Sequence, residues 1–150
     1  MLKGVDPVLS PELLAALRAM GHGDELVIAD ANFPAAALGA RVCRSDGVDA
    51  SRMLQAIVAL MPLDDFGPVA AWRMGAASPQ EERSEIVEAF AAVLAQSGYG
   101  GPVGVLDREA FYGRARQAFV VVATGERRLY GNIILRKGVI RPQGEVGRAH

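Results

Sequence analysis

Glu25-Leu26-Val27-Ile28-Ala29, set between Gly21-His22-Gly23-Asp24 and Asp30-Ala31-Asn32-Phe33-Pro34, is the stretch from which the fold is read. Its five residues are apolar after the first and bounded by turn formers on both sides. They are too few for a helix and show no alternating polar face, so the reading is a strand buried on both sides. Just upstream, Ser10-Pro11-Glu12 supplies a hydroxyl cap with proline at the first helical position. Leu13, Leu14, Leu17 and Met20 follow at helical spacing, and Gly21 ends the helix. A helix that leads into a buried strand begins an α/β alternation.

The alternation continues down the chain. Residues 33–40 predict a short helix started by Pro34, and 41–44 a second strand before the turn Ser45-Asp46-Gly47. A helix over 51–61 carries Met53, Leu54, Ile57, Val58 and Met61 on one side, and Pro62 stops it. A strand is expected over 67–74. Ser78-Pro79-Gln80-Glu81 matches a capping box that starts one helix bearing Ile86, Phe90, Val93 and Leu94. Val103–Leu106 reads as a strand, Asp107 as the cap of a helix showing Phe111, Ala115 and Ala118, and 119–124 and 132–136 as closing strands.

The expected fold class is therefore α/β: a three-layer α/β/α sandwich with a mixed, mostly parallel sheet. The short connection between the last two strands predicts that they run antiparallel. One domain over residues 1–140 is expected. A loose tail at 141–150 follows, because that stretch holds proline, glycine and charge without periodicity.

Composition narrows the function classes. At 150 residues with 51% hydrophobic and 22% charged residues, the chain has more apolar surface than usual to hide, in buried strands or in a subunit interface. No apolar run approaches the roughly 20 residues of a membrane span. A net charge of −1 gives no field for nucleic acid or anionic lipid, and Arg114, Arg116, Arg127 and Arg128 read as a solvated face. Cys43 is the single cysteine, so it has no disulfide or zinc partner and reads as a small buried hydrophobe. The N-terminus lacks the layout of a signal peptide, and the expected location is cytoplasmic.

Gly21-His22-Gly23 lacks a third glycine and precedes its strand, which is the wrong context for a dinucleotide. No phosphate loop is present, and two histidines with one cysteine make no metal cage. No cofactor and no metal are expected.

The remaining chemistry lies in neutral-pH acid–base and hydrogen-bonding groups. His22 sits between glycines that let backbone and ring approach a ligand, and imidazole suits proton transfer near pH 7; a structural histidine is the plainer reading. Asp30 lies past the carboxyl end of a strand, the edge where open α/β sheets bind ligands, or it caps a turn. Arg108 and Tyr112 are four apart on one helix face. Tyr130-Gly131-Asn132 offers a phenol and an amide for a neutral polyhydroxy ligand, or simply a tight turn. Trp72 and Met74 would line a pocket wall or fill a buried strand.

Several blocks together resemble the L-fucose mutarotases. They are Ser10-Pro11-Glu12-Leu13-Leu14, Met20-Gly21-His22-Gly23-Asp24-Glu25, Asp30-Ala31-Asn32-Phe33-Pro34, Phe111-Tyr112-Gly113-Arg114-Ala115, Ala123-Thr124-Gly125-Glu126 and Leu129-Tyr130-Gly131-Asn132 through Val139. They run in the family's order from about Leu2 to Val139, and 66–99 is the least similar part. The related D-ribose pyranases share the histidine and the Thr-Gly-Glu region more loosely.

The resemblance implies a cofactor-free isomerase of carbohydrate metabolism that interconverts the α and β anomers of L-fucose. It implies that His22 is the proton donor, that Asp30, Arg108, Tyr130 and Asn132 bind the sugar, and that Asp64 and Tyr112 line the site. It also implies a homo-oligomer, a ring decamer or a dimer. D-Ribose pyranase activity, or a non-catalytic monosaccharide-binding module, are the alternatives. The second proton-transfer partner is open among Asp30, Tyr112 and Tyr130.

Geometry adds one constraint. With about 3.3 Å per extended residue, His22 and Asp30 of one chain lie up to roughly 25 Å apart. One pyranose cannot span that. Either the flanking loops fold back, or neighbouring subunits share the site.

Overall fold

The computed structural model describes residues 1–143, and its centre is the strand quoted above. Strand β1 (Glu25–Ala29) lies between β5 (Val120–Thr124) and β6 (Ile133–Arg136) in a six-stranded sheet of order β2-β5-β1-β6-β3-β4. The remaining strands are β2 (Val42–Ser45), β3 (Ala71–Met74) and β4 (Val103–Leu106). Strand β6 runs against both its neighbours, β1 and β3, and the other pairings are parallel. The sheet is mixed and mostly parallel, as expected.

The strands are apolar throughout because both faces are covered. Leu26, Ile28, Val120, Val122, Ile133 and Leu135 point into one core, with residues of helices α1 (Pro11–Ala19), α3 (Ala50–Val58) and α5 (Glu85–Gln96). Val27, Ala29, Val121, Ala123 and Ile134 point into the other, under α2 (Ala35–Leu38) and α6 (Arg108–Gln117). That alternation of faces in otherwise continuous apolar runs makes the three layers. Cys43 is buried in the first core. Met74 is buried too, whereas Trp72 lies half-buried under the Arg114 and Arg136 guanidinium groups.

Two expectations change. The closing strands β5 and β6 do run in opposite directions, but they do not pair with each other, because β1 occupies the place between them. The connection from Gly125 to Asn132 therefore bridges over the end of β1. The capping box at Ser78 starts only a short helix, α4 (Pro79–Glu82), with Ser78 Oγ accepting from the Glu81 amide. A second start at Ser84 opens α5, which carries Ile86, Phe90 and Leu94 into the core. Of the expected tail, residues 144–150 lie outside the described residues. Arg141 makes a bidentate pair with Asp65 at 2.7 and 2.8 Å.

Candidate functional site

The β1–β6 register decides where the chemistry falls. Ile28 pairs with Ile133 in antiparallel fashion, so the residues just past β1 and just before β6 meet at one edge of the sheet. There the Asp30 amide donates to Asn132 Oδ1 at 2.7 Å, and Asn132 Nδ2 donates to Asp30 Oδ2 at 3.0 Å. The Asn32 amide donates to Asp30 Oδ1. Both side chains are buried. Burial pushes the Asp30 carboxyl above its usual range, and the hydrogen bonds from Asn32 and Asn132 only partly oppose this. Asp30 thus serves a turn and also places a desolvated carboxyl at the carboxyl edge of the parallel strands.

Helix α6 starts at the same edge, at the end of β4, with Asp107 Oδ1 accepting from the Ala110 amide. Its first turns carry Arg108, which is exposed, and Tyr112, whose ring lies 5.9 Å from the Arg108 guanidinium carbon. Phe33 packs edge-on against Tyr112, with centroids 5.4 Å apart, and so joins the Asp30 loop to α6. Tyr130 has φ of +61°, a region a bulky side chain rarely enters. Backbone strain of this kind costs of order 1–3 kcal/mol and persists where surroundings impose it. Glu126 anchors the same connection four residues earlier. Its backbone oxygen accepts from the Ala31 amide, and its buried carboxylate takes the Ala50 and Arg128 amides and the Arg128 guanidinium.

His22 is at the opposite edge. Gly23, at φ of +89°, turns the chain, and its amide donates to the Lys137 carbonyl at the far end of β6. The Leu63–Asp64 segment abuts the same end: Leu63 bridges to Lys137, and the Asp64 amide donates to the Arg136 carbonyl. Gly138 permits this approach, since a Cβ there would lie 2.5 Å from the Leu63 carbonyl oxygen. The result brings His22 Nε2 within 3.0 Å of Asp64 Oδ1, with Asp64 buried and His22 44% exposed. Phe66 packs against the imidazole at 4.9 Å. A carboxylate oxygen accepts, so Nε2 donates and Nδ1 is left for a ligand. A hollow of about 320 Å³, lined in part by Asp64, Asp65 and Tyr99, opens beside Asp64.

The predicted residues therefore form two groups. Asp30, Arg108, Tyr112, Tyr130 and Asn132 gather at the carboxyl edge of the parallel strands, and His22 and Asp64 at the other. The extended β1 separates them by roughly 16 Å for its five residues alone. The loops do not fold back to close this gap. Sequence reading missed Asp64 as the partner of His22, because 42 residues separate them and only the β6 end brings them together. It also missed Phe33 and Glu126 as supports; the Thr124-Gly125-Glu126 block carried a signal for the latter. Among the described residues, no cluster of three or more His, Cys, Asp or Glu is placed to hold a metal ion. No helix among them is long and apolar enough to cross a membrane.

Fold and site define an α/β protein that carries acid–base and hydrogen-bonding side chains at both edges of its sheet. The chain belongs to the RbsD / FucU transport protein family, which it matches over residues 3–140. It is 46% identical to the fucose mutarotase of Danio rerio, over 95% of this chain and 97% of that protein. The fucose mutarotase of Streptococcus pneumoniae, solved with L-fucose, superposes with a TM-score of 0.86 at 40% identity, covering 93% of this chain and all of that one. Bacillus subtilis RbsD, solved with D-ribose, is more distant, with a TM-score of 0.72 at 23% identity over 94% of this chain and 100% of that one.

Proposed function

We propose that this protein is a mutarotase, an isomerase that interconverts the α and β anomers of L-fucose by acid–base catalysed ring opening and closure. The reaction requires only proton movement. One group protonates the ring oxygen while another takes the proton of the anomeric hydroxyl, and the C1–O5 bond opens to give an aldehyde. Rotation about C1–C2 and reversal of the transfers close the other anomer. Acid–base catalysis of this kind contributes typically ~10²–10⁴-fold.

The observation that carries the reading is the Asp64-held His22, ring-packed and half-exposed, together with a separate Asp30–Asn132 pair beside Tyr112 and Tyr130. His22 acts as the general acid/base through Nδ1. Asp64 orients it, and Asp30, Arg108, Tyr112, Tyr130 and Asn132 hold the hydroxyl groups. Because β1 keeps the two groups apart, one copy's His22 works with a neighbouring copy's Asp30 group, and the functional unit is a homo-oligomer. The apolar content of the chain supports such an interface. Similarity to fucose mutarotases at 40% identity and above favours L-fucose over D-ribose.

Saturation-transfer NMR between the anomers of L-fucose and of D-ribose tests this. The wild type should speed exchange of L-fucose, and His22→Ala should lose ~10²-fold or more while keeping fold and sugar affinity. Full exchange in the variant would remove His22 from the mechanism, and a preference for ribose would change the substrate.

A further inference from the structure

The mechanism needs a second proton-transfer group opposite His22, and the structure offers more behind Tyr130 than a bare phenol. Tyr130 Oη donates to Glu81 Oε2 at 3.4 Å, and the Ala77 amide donates to Tyr130 Oη at 3.3 Å. A phenol has one proton and two lone pairs. Its proton goes to the Glu81 carboxylate, and one lone pair takes Ala77 N–H. One lone pair remains for a sugar hydroxyl.

Glu81 is not a loose surface acid. Ser78 Oγ lies 3.2 Å from its Oε2, and its own amide donates to Ser78 Oγ at 3.3 Å, so the capping box fixes the carboxylate toward Tyr130. The segment before it is clamped by Glu82, which pairs with Arg73 and accepts from the Ala76 amide at 2.6 Å. Next to the phenol, Glu81, Ser84, Arg128, Leu129 and Tyr130 help to line a hollow of about 270 Å³. The φ of +61° at Tyr130 has a use here, since it sets the phenol against the 76–81 segment at the end of β3.

We propose that Glu81 is the terminal proton acceptor behind Tyr130, so that the second transfer of anomer exchange runs from the anomeric hydroxyl through Tyr130 Oη to the Glu81 carboxylate. The inference rests on the mutarotase reading and deepens it. On opening, the anomeric O1–H proton passes to Tyr130 Oη while the Tyr130 proton passes to Glu81. The O1–H electron pair forms the C1=O1 bond, and the C1–O5 pair moves to O5, which takes a proton from the histidinium side chain of His22. Sugar and aldehyde are both neutral. Glu81 ends as the acid and His22 as neutral imidazole, and closure reverses every transfer. Ala77 N–H steadies the oxygen as charge passes through it. Glu81 touches no sugar atom, so it is a positioning and relay residue, and Tyr130 is the catalytic contact.

Glu81→Gln separates this role from a structural one, because glutamine serves equally well in a capping box but cannot take the proton. Exchange of L-fucose anomers is measured by saturation transfer for wild type, Glu81→Gln, Tyr130→Phe and the double variant, with sugar affinity and melting temperature for each. The expected result is a fall of ~10²-fold in kcat for Glu81→Gln with affinity unchanged to within about twofold. The double variant should then be no slower than Tyr130→Phe, since Glu81 acts only through that phenol. Wild-type rates in Glu81→Gln would overturn the relay, as would losses that simply multiply in the double variant. A wild type that exchanges no fucose anomers would instead sink the mutarotase reading, and the relay with it.

Discussion

Asn132 shows how one side chain can hold the fold and also stand in the proposed site. It donates to the Asp30 carboxylate and accepts from the Asp30 amide, both in a buried place. Replacement by Leu would leave the Asp30 N–H and one carboxylate oxygen without their partner. Each unsatisfied buried group costs about 1–3 kcal/mol, so Asn132→Leu should lower the urea midpoint by an amount equivalent to about 2 kcal/mol or more. Sugar affinity should fall in the same variant, as read by titration calorimetry. Loss of that hydrogen bond also removes one of the contacts that hold the Asp30 carboxyl down against its burial.

At the scale of elements, Glu126 ties three pieces together: the turn after β1, the start of α3 and the β5–β6 connection. Burial by itself would raise its carboxyl, but hydrogen bonds from Arg128 and from the Ala50 amide at the α3 N-terminus outweigh that, and its pKa is lowered from 4.5. A depressed carboxyl binds fewer protons in the folded state than in the unfolded one. Its stabilisation is therefore present in full above the unfolded value and is lost as the pH falls through the folded one. Urea midpoints measured from pH 6 down to pH 3 should drop for the wild type. Glu126→Gln should be less stable at pH 6 and show a shallower drop. An equally steep drop in the variant would assign the acid sensitivity to other carboxyls.

For the whole molecule, the sheet acts as a spacer. A five-residue strand, buried from Leu26 to Ala29, keeps His22 at one edge and Asp30 at the other, so under the proposed shared site the number of complete sites would depend on how copies meet. Mixing His22→Ala with Tyr130→Phe, after joint unfolding and refolding, should restore part of the exchange activity, because a fraction of the interfaces regain both groups. Each variant alone should stay slow. A mixture no faster than its components, with mixed oligomers shown to form, would mean that both groups serve a site within one copy. Solution mass should also show an assembly larger than one chain for the active species.

Much of this was legible from residues alone. Glu25–Ala29 as a buried strand, Ser10 and Asp107 as caps, and the α/β alternation follow from local chemistry that the chain cannot escape: apolar period, turn formers, and side chains that satisfy orphan amides. His22, Asp30, Tyr130 and Asn132 were visible because their residue types suit proton transfer or hydrogen bonding and sit beside strand ends. Strand order was not legible, because β5 and β6 are joined by a short connection that would serve a hairpin as well as a bridge over β1. The break between α4 and α5 was missed for a related reason. One capping box matched one helix, and the need to send Ile86 and Phe90 inward reset the chain at Ser84. The pairing of His22 with Asp64, and of Tyr130 with Glu81, joins residues 42 and 49 positions apart. Sequence determined which groups exist and on which strand end they stand. Only the tertiary structure decided which of them meet, because antiparallel β6 carries the ends of β1 to partners that no local pattern encodes.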